Sequence, residues 1–391
     1  MTAGGPCAPC LRRAALLRLV AGRIDVARKR RHPIRDVLAL SDDDLLAAVG
    51  GDEAGELRRQ LDELSLFDLL ASASDGELEV VCRHGAGYPA RLNDDNSAPA
   101  ALFVRGGRGP RDGGLARLAR LVGDARSDDQ PAAVAIVGTR RASPEGLEIA
   151  RALGQGLASV GVTVVSGMAL GVDSAAHAGA LEAGGPTVAV LAGGADVAYP
   201  RSKARLYDAI VASGGAIVSE MPPRFAAFKW NFPARNRIIA ALAPVTIVIE
   251  AAERSGSLIT AEFALELGRD VGAVPGPVTS WRSDGTNALL RDGATLIRHP
   301  RDVLDLIFGV EHAEQVARRA AAQSKPAPLD TPDELLALLS AIDDGRDTID
   351  SLTPDAAGAA AVRAGLMELE LRGLIRRTPG GRVLRTARAE W

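Results

Sequence analysis

The sequence is poor in aromatic residues and cysteine, and it contains no long apolar run. Phenylalanine, tryptophan and tyrosine make up 3% of the 391 residues. That is too few for a protein that stacks every bound base on a ring, so any grip on nucleic acid has to rely on phosphates. Three cysteines cannot build a disulfide framework, which indicates a cytoplasmic protein. We expect neither a membrane span nor a secretory signal.

Charge is distributed unevenly, although the net charge of -3 excludes a uniformly basic protein that coats DNA. Residues 11–35 hold nine Arg or Lys against one acid, and residues 41–64 hold eight acids against two Arg. Leucine and alanine recur through both stretches at roughly helical spacing. We predict a helical N-terminal domain over residues 1–78, and we interpret its basic stretch as a solvated face in preference to a binding site.

Residues 132–308 alternate between strands and helices, which is typical of a doubly wound α/β domain. Continuous Val/Ile runs indicate strands that are covered on both faces, hence a mostly parallel sheet. The predicted strands are 134–137, 162–165, 187–191, 216–218, 245–249 and 271–274. The predicted helices are 144–160, 174–183, 203–212, 234–242 and 259–267.

The C-terminal part of the chain differs in composition. Residues 309–332 contain three prolines among Ala, Gln and Lys, which predicts a linker. Residues 333–391 contain two predicted helices and then a hairpin around Gly380-Gly381, which favours a winged helix. Residues 330–391 hold eight basic against eleven acidic residues. We therefore interpret this module as a surface for a partner or for regulation, because its acids would repel a DNA backbone.

Small and polar residues follow four of the predicted strands. In open parallel sheets, ligands bind beyond the carboxyl ends of the strands. Small residues at that edge let backbone N–H groups approach an anion, and helix N-termini add positive potential. Four such loops on one edge predict an anion site, although Gly and Ser can also serve tight turns alone. The loops begin at Gly138, Ser166, Gly193 and Ser255.

Residues 199–237 concentrate positive charge, with seven basic residues against two acids. The same segment carries Phe225, Phe228, Trp230 and Phe232. Basic residues interleaved with aromatic ones suit a strand of nucleic acid, with phosphates on the charges and a base on a ring. The competing interpretation is a loop pinned by buried aromatic residues.

A catalytic or metal site is poorly supported. Asp173 and His177 lie four residues apart, but we expect them to fix a turn rather than to form an acid/base pair. The Cys7-x-x-Cys10 pair is half a zinc site and its partner pair is missing, so we predict no metal. There is no Walker-type Gly-Lys-Ser/Thr motif. We predict a protein that is not an enzyme and has no cofactor.

The ordered motifs of residues 85–308 resemble the DprA/Smf family, the DNA-processing proteins of natural transformation. The motifs are Val137–Arg140, Ser166–Asp173 with Ala176-His177, Tyr199-Pro200, Ser219-Glu220, Phe232–Ile239, Glu250-Ala251, Ser255–Thr260, Val274–Gly276 and Gly293-Ala294. The resemblance implies an extended Rossmann-like domain over residues 79–308, with its core at 132–308. It also implies a C-terminal winged helix and is compatible with a SAM-like N-terminal domain.

The resemblance further implies a cytoplasmic homodimer that binds and protects incoming single-stranded DNA and loads RecA onto it. The DNA or phosphate contacts that the resemblance implies are Gly138, Arg140, Ser166, Gly167, Arg235, Asn236, Arg237, Ser255, Gly256, Ser257 and Thr260. We add Ser143, Arg201 and Lys203 to the predicted contacts. Lys203 departs from the family, which often has Asn at that position, and it either adds a phosphate contact or lies on a solvated helix. Four apolar residues near the last predicted strand either contribute to the dimer interface or fill the domain's own core: Leu289, Leu290, Leu296 and Ile297.

A second candidate function is a nucleotide-binding or phosphoribohydrolase-like protein on the same fold. The corresponding hydrolases resemble this chain in their phosphate loops and use Gly-Gly-x-Gly-Thr-x-x-Glu. Here Thr260-Ala261-Glu262 places the carboxylate one residue early and lacks the glycine frame. A third interpretation, a duplex DNA regulator that acts through the winged helix, is disfavoured by that module's acidic charge.

Overall fold

The computed structural model describes residues 5–27, 33–107, 113–122, 132–323, 332–353, 358–372, 374–377 and 381–385. The chain divides into two compact units, Met1–Ala320 and Ala321–Trp391. Among the residues described, no helix has the length and apolar character needed to cross a membrane.

The first unit contains a nine-stranded sheet and most of the helices. Its strands are β1 Leu78–Cys82, β2 Ala101–Arg105, β3 Ala133–Val137, β4 Thr163–Ser166, β5 Thr187–Val190, β6 Ala216–Ser219, β7 Val245–Val248, β8 Asp270–Ala273 and β9 Thr295–Leu296. Its helices are α1 Ala8–Ala27, α2 Ile34–Ala39, α3 Asp42–Gly50, α4 Ala54–Glu63, α5 Leu66–Asp75, α6 Gly114–Leu121, α7 Pro144–Ser159, α8 Val172–Glu182, α9 Ala204–Ala212, α10 Asn231–Leu242, α11 Gly256–Glu266, α12 Asp284–Arg291 and α13 Pro300–Phe308, and α14 Val310–Gln323 runs past its boundary.

The sheet has the strand order β1-β2-β6-β5-β4-β3-β7-β8-β9. Strands β3 to β9 pair in parallel, whereas β1–β2 and β2–β6 pair antiparallel. The order reverses between β3 and β7, so this is where an open α/β sheet leaves a crevice for a ligand. The predicted α/β class with a mostly parallel sheet is confirmed, and the predicted strands are shifted by a residue at most ends.

The N-terminal helices share a core with the sheet. Leu16, Val20 and Ile24 of α1 are buried in the same apolar cluster as Val104 of β2. The indole N–H of Trp230, at the start of α10, donates to the carbonyl of Ala21 in α1 at 2.8 Å. The helical N-terminal region is thus present as predicted, and it belongs to the same compact unit as the sheet.

The second unit contains α15 Asp333–Asp343, α16 Ile349–Leu352, α17 Ala359–Leu371 and the hairpin β10 Ile375–Arg377 with β11 Val383–Arg385. Leu366 and Leu369 of α17 pack on Leu335 of α15 and Val383 of β11. The predicted linker is helical as far as Gln323. Its residues 324–331, and Gly380 of the predicted turn, lie outside the described residues.

Candidate nucleic-acid interface

A cleft of ≈ 420 Å³ lies at the carboxyl ends of β3 and β7, where the strand order reverses. Its walls come from the loop after β3, the first turns of α10 and the first turns of α11. The predicted residues that line it are Gly138, Arg140, Arg235, Asn236, Ser255, Gly256, Ser257 and Thr260. The fold therefore brings eight of the predicted residues, from three separate segments, to one cavity.

The N-terminus of α11 opens into this cleft. Ser255 caps the helix, and its hydroxyl lies 2.8 Å from that of Ser257. The amide of Asn236 donates to the carbonyl of Gly256 at 3.1 Å and so ties α10 to α11. Unpaired N–H groups and the helix dipole make such an end attractive to an anion. The Thr260 hydroxyl is fully buried one turn further on and has no partner within the described structure.

Arg235 is the buried cation of the cleft. Its Nη1 donates to the carbonyl of Val190 at 2.5 Å, while its Nε has no partner among the residues that the structure describes. Burial lowers the pKa of Arg235 to about 10, an effect that nearby Asp173 opposes. The group is still charged at neutral pH. An unpaired N–H on a buried guanidinium leaves hydrogen-bonding capacity for a ligand.

Asp173 holds the loop that follows β4. Its carboxylate accepts the backbone N–H of Gly167 at 3.1 Å and that of Ala169 at 3.4 Å. Burial raises the pKa of Asp173, and the charge of Arg235 counteracts that rise. His177 instead pairs with Thr187, with Nδ1 and Oγ1 2.8 Å apart. The geometry agrees with a turn-fixing role for Asp173 and does not join it with His177 as an acid/base pair.

An aromatic recess adjoins the cleft. The Arg140 guanidinium lies 4.7 Å from the ring centre of Phe232, and that ring is 5.6 Å from the ring of Tyr199. Gly167 lines this recess. Tyr199 is 48% exposed, so one face of an aromatic ring is accessible beside a cation. Lys229, exposed, lines the main cleft itself.

The site prediction did not name three residues that line the cleft or the recess: Tyr199, Lys229 and Phe232. All three lie within the basic and aromatic segment 199–237, so the sequence indicated the segment but not these members of it. The sequence did not indicate which members face the cleft, because that depends on how the segment folds over the sheet.

The prediction needs correction for three residues, which do not line the cleft because internal partners occupy their polar groups. The Ser143 hydroxyl caps α7 and donates to Glu250 at 2.5 Å. The Ser166 hydroxyl is fully buried and donates to the carbonyl of Ile136 at 2.5 Å. Arg237 is 1% exposed and pairs with Glu220 at 2.6 Å. These residues shape the site without facing it.

Arg201 and Lys203 lie on a single 3₁₀ turn after Pro200, ahead of α9. Neither lines the cleft or the recess, although Tyr199 and Pro200 line the recess. Arg201 is exposed. A role for these two residues in binding a longer strand stays a prediction.

The carboxylate that the hydrolase alternative requires is not in the cleft. Glu262 is exposed and is not among the residues that line the cavity. The prediction that Cys7-x-x-Cys10 lacks a partner pair is wrong, since Cys82 and His84 come together with it, outside this cleft. The approach of β1 to the start of α1 causes this.

Comparison with known proteins identifies the family. A family model described as DNA recombination-mediator protein A matches residues 119–308. Protein Smf of Escherichia coli is 37% identical over 308 residues, which cover 76% of this chain and 74% of that protein. The chain belongs to the DprA/Smf family.

Further matches of the family cover both units. The DprA winged helix domain matches residues 319–381, which confirms the predicted C-terminal fold. The DNA processing protein DprA of Streptococcus pneumoniae is 41% identical over 217 residues, 56% of this chain and 70% of that protein. The X-ray structure of the same protein matches with a TM-score of 0.58 at 32% identity, covering 76% of this chain and 96% of that chain.

Proposed function

We propose that this chain binds single-stranded DNA in the cleft between β3 and β7. On this proposal it protects incoming DNA and loads RecA onto it in the cytoplasm, during natural transformation. The observation that carries the DNA-binding proposal is the convergence of Arg235, Thr260 and the α11 N-terminus on one cavity. The membership in a DNA-processing family supports it.

A phosphate is the ligand that suits the deepest part of the cleft. The Nε of Arg235 and the hydroxyl of Thr260 offer hydrogen bonds that no described residue takes up. The N-terminal amides of α11 offer more donors. Charge-assisted hydrogen bonds to phosphate oxygens are stronger than neutral ones, so this set of donors favours an anion over a sugar or a base.

The recess beside the cleft favours a single strand over a duplex. Tyr199 and Phe232 present rings next to Arg140, and a base can stack on such a ring only when it is unpaired and exposed. A single strand can place a phosphate in the cleft and a neighbouring base on the recess. A duplex offers its phosphates but keeps its bases inside.

Binding to labelled oligonucleotides, followed by fluorescence anisotropy, tests this proposal. We expect the full chain to bind a single-stranded oligonucleotide more tightly than a duplex of equal length at moderate salt. The affinity should fall steeply with salt, because phosphate contacts release counterions. Equal affinity for both forms would reject the preference for single strands, and a salt-independent affinity would reject the phosphate site.

RecA loading needs its own assay. We expect the chain to raise the rate at which RecA assembles on single-stranded DNA that a single-strand-binding protein already covers. A variant that has lost DNA binding should not raise it. No acceleration by a chain that binds DNA normally would reject the loading role and leave the DNA-binding proposal intact.

We propose that the chain is a homodimer, with the β9 end of the sheet at the interface. Leu296 on this edge strand is 46% exposed, whereas Ile297 is fully buried in the domain's own core. We expect light scattering at micromolar concentration to give twice the chain mass, and Leu296→Lys to lower it towards the mass of one chain. A monomeric wild-type protein would contradict the dimer.

We also propose that the cleft binds without catalysing a reaction. Its carboxylate, Asp173, is occupied by two backbone N–H groups, and Glu262 lies outside it. We expect nucleotides, NAD and oligonucleotides to stay intact on incubation, with or without divalent metal. Release of free base that Glu262→Ala abolishes would favour the phosphoribohydrolase alternative.

A further inference from the structure

All three cysteines of the chain lie in one cluster. Cys7, Cys10, Cys82 and His84 each offer one ligand atom, and these four atoms lie within 4.8 Å of one another. Cys10 and Cys82 are buried, Cys7 is partly buried, and His84 is exposed. The fold places every thiol of the chain at one point, although Cys7 and Cys82 are 75 positions apart.

Two elements bring the cluster together. Cys10 lies in the first turn of α1, and Cys7 precedes that helix, with its carbonyl accepting the N–H of Leu11 at 3.2 Å. Cys82 is the last residue of β1, and His84 lies in the turn that follows. The helix contributes a Cys-x-x-Cys pair and the strand end a Cys-x-His pair. Two short pairs from separate elements are the usual arrangement of a structural zinc site.

The distances fit a tetrahedral metal site. The Nδ1 of His84 lies 3.4 Å from the Sγ of Cys7 and 3.4 Å from the Sγ of Cys10. The Sγ atoms of Cys7 and Cys82 are 3.8 Å apart. Zinc bonds of about 2.3 Å to sulfur and about 2.05 Å to nitrogen place sulfurs about 3.8 Å apart and sulfur and nitrogen about 3.6 Å apart in a tetrahedron.

A hydrogen-bond donor and a helix N-terminus lie beside the sulfurs. The backbone N–H of Cys7 donates to the Sγ of Cys82 at 3.4 Å. Two of the cysteines lie at the N-terminus of the 20-residue helix α1. The dipole of a helix stabilises an anion at that end.

We propose that Cys7, Cys10, Cys82 and His84 bind one structural Zn²⁺ ion. Three sulfurs and one imidazole in a tetrahedron suit zinc better than magnesium or calcium, which prefer oxygen ligands. Four protein ligands close the coordination sphere, so the ion has a structural role and no open position for a substrate. On binding, each thiol gives up its proton to solvent and its sulfur takes a bond to zinc.

The ion would join the N-terminal helices to the sheet. Cys7 and Cys82 are separated by 75 positions, and between them run α1 to α5 and β1. A link of this kind stabilises the folded state by restricting the unfolded chain, and zinc binding is coupled to folding. We expect the ion to hold the start of α1 against the end of β1.

Metal analysis of the full chain, purified without a chelator and without a histidine tag, tests the proposal. We expect about one zinc per chain by mass spectrometry. We expect Co²⁺, added to chain from which the metal was removed, to give the visible absorption of a tetrahedral thiolate site. Removal of the metal should lower the melting temperature, and added Zn²⁺ should restore it.

Variants separate the cluster from zinc bound elsewhere. We expect Cys10→Ser to lose zinc, and His84→Cys to retain it because a fourth thiolate replaces the imidazole. His312→Ala removes an exposed histidine outside the cluster and should leave the zinc content unchanged. Cys10→Ser removes a buried thiol and could unfold the chain. The cobalt spectrum of the wild-type protein tests the site without relying on this variant.

Three results would overturn the proposal. One is wild-type chain that holds far less than one zinc and shows no thiolate absorption with Co²⁺. Another is a Cys7–Cys82 disulfide in the protein from reduced cytoplasm, since the oxidised sulfurs could not act as thiolate ligands. The third is a zinc content that stays the same in Cys10→Ser.

Discussion

The guanidinium of Arg237 donates to the carboxylate of Glu220 at 2.6 Å, and both side chains are buried. The other nitrogens of Arg237 donate to the carbonyls of Ser97 and Ala234, each at 3.0 Å. The pair therefore ties α10 to the segment after β6 and to the loop before β2. Two residues away on the same helix, Arg235 lines the cleft, whereas Arg237 does not.

Replacing Arg237 should destabilise the fold rather than the DNA complex. Arg237→Ala leaves the Glu220 carboxylate buried without its cation, which costs about 3–5 kcal/mol of the free energy of unfolding. Urea unfolding measures this cost, and anisotropy on the folded fraction should show unchanged DNA affinity. As a control, Arg58→Ala breaks an exposed pair with Asp43 and should cost about 0–1 kcal/mol. A stable Arg237→Ala chain with weakened DNA binding would reverse the assignment.

Replacing Arg140 should weaken DNA binding and leave stability nearly unchanged. Arg140 is exposed between the cleft and the Phe232 ring. Losing one charged hydrogen bond to phosphate costs about 1.5–3 kcal/mol of binding free energy, so we expect a fall in affinity of roughly ten- to a hundredfold. The dependence of log affinity on log salt should flatten by about one contact. As a control, Arg59→Ala removes an exposed arginine from α4 and should change neither the affinity for DNA nor its salt dependence. Equal losses of affinity in both variants would indicate a nonspecific charge effect.

A methyl group at Gly167 should disturb the buried cation. A Cβ there would collide with the guanidinium of Arg235, whereas a Cβ at Gly256 would meet no atom within 4 Å. We expect Gly167→Ala to lower the free energy of unfolding by about 1–3 kcal/mol, the usual cost of overpacking, and to weaken DNA binding as Arg235 shifts. Gly256→Ala should keep or slightly raise the melting temperature. Similar melting temperatures for the two variants would show that Arg235 is free to move.

His177 should make stability depend on pH. Burial lowers its pKa from 6.5 to about 3 in the folded chain, with a smaller contribution from Arg235. The unfolded chain therefore binds a proton that the folded chain does not, and stability falls as pH drops from about 6.5 towards 3. Between pH 7 and pH 5 the loss from this residue is about 2 kcal/mol.

The replacement His177→Gln isolates this contribution. It removes the titrating ring, so the free energy of unfolding should fall less between pH 7 and pH 5 than in the wild-type chain. Asp173, whose raised pKa acts in the opposite direction, is present in both chains, so its effect cancels in the difference. His312→Ala should keep the wild-type slope. Identical slopes for the wild type and His177→Gln would refute the assignment.

The parallel strands β3 to β8 were predictable because almost all of their residues are buried. Short apolar runs mark these strands in the sequence, and they can be recognised without knowing which elements pack on them. Examples are the runs that contain Val134, Val164, Val188 and Ile247. Strands β1, β2 and β9 were missed. Strands β1 and β2 pair antiparallel at one side of the sheet, and β1 contains partly exposed residues, so a continuous apolar run does not mark it. Strand β9 has only two residues, and both are exposed.

The site was predictable as a group of loops, but not residue by residue. Successive residues on a helix turn by 100°, so Arg235 and Arg237 point about 200° apart, and only one of them can face the cleft. This periodicity alone argues against assigning both to DNA. Which of the two faces the cleft depends on the position of Glu220, a partner 17 residues away from Arg237.

The cysteine cluster shows a different limit of sequence interpretation. Cys7-x-x-Cys10 is a local pattern, and its partners come from a strand end 75 positions from Cys7. Nothing in either segment alone specifies that β1 ends beside the start of α1. That proximity follows from the packing of α1 and α5 against β1 and β2, which joins the two halves of the cluster.

Trp230 limits how freely this protein could be recombined with its relatives. The indole is fully buried, with its N–H on the carbonyl of Ala21, and its backbone N–H donates to Asp25 at 3.2 Å. It stands at the start of α10, the helix that carries Arg235. Exchange of the N-terminal helices at residue 78 separates Trp230 from Ala21 and Asp25. We therefore expect a chimera to fold well only when the incoming helices place a carbonyl and a carboxylate at the same two positions.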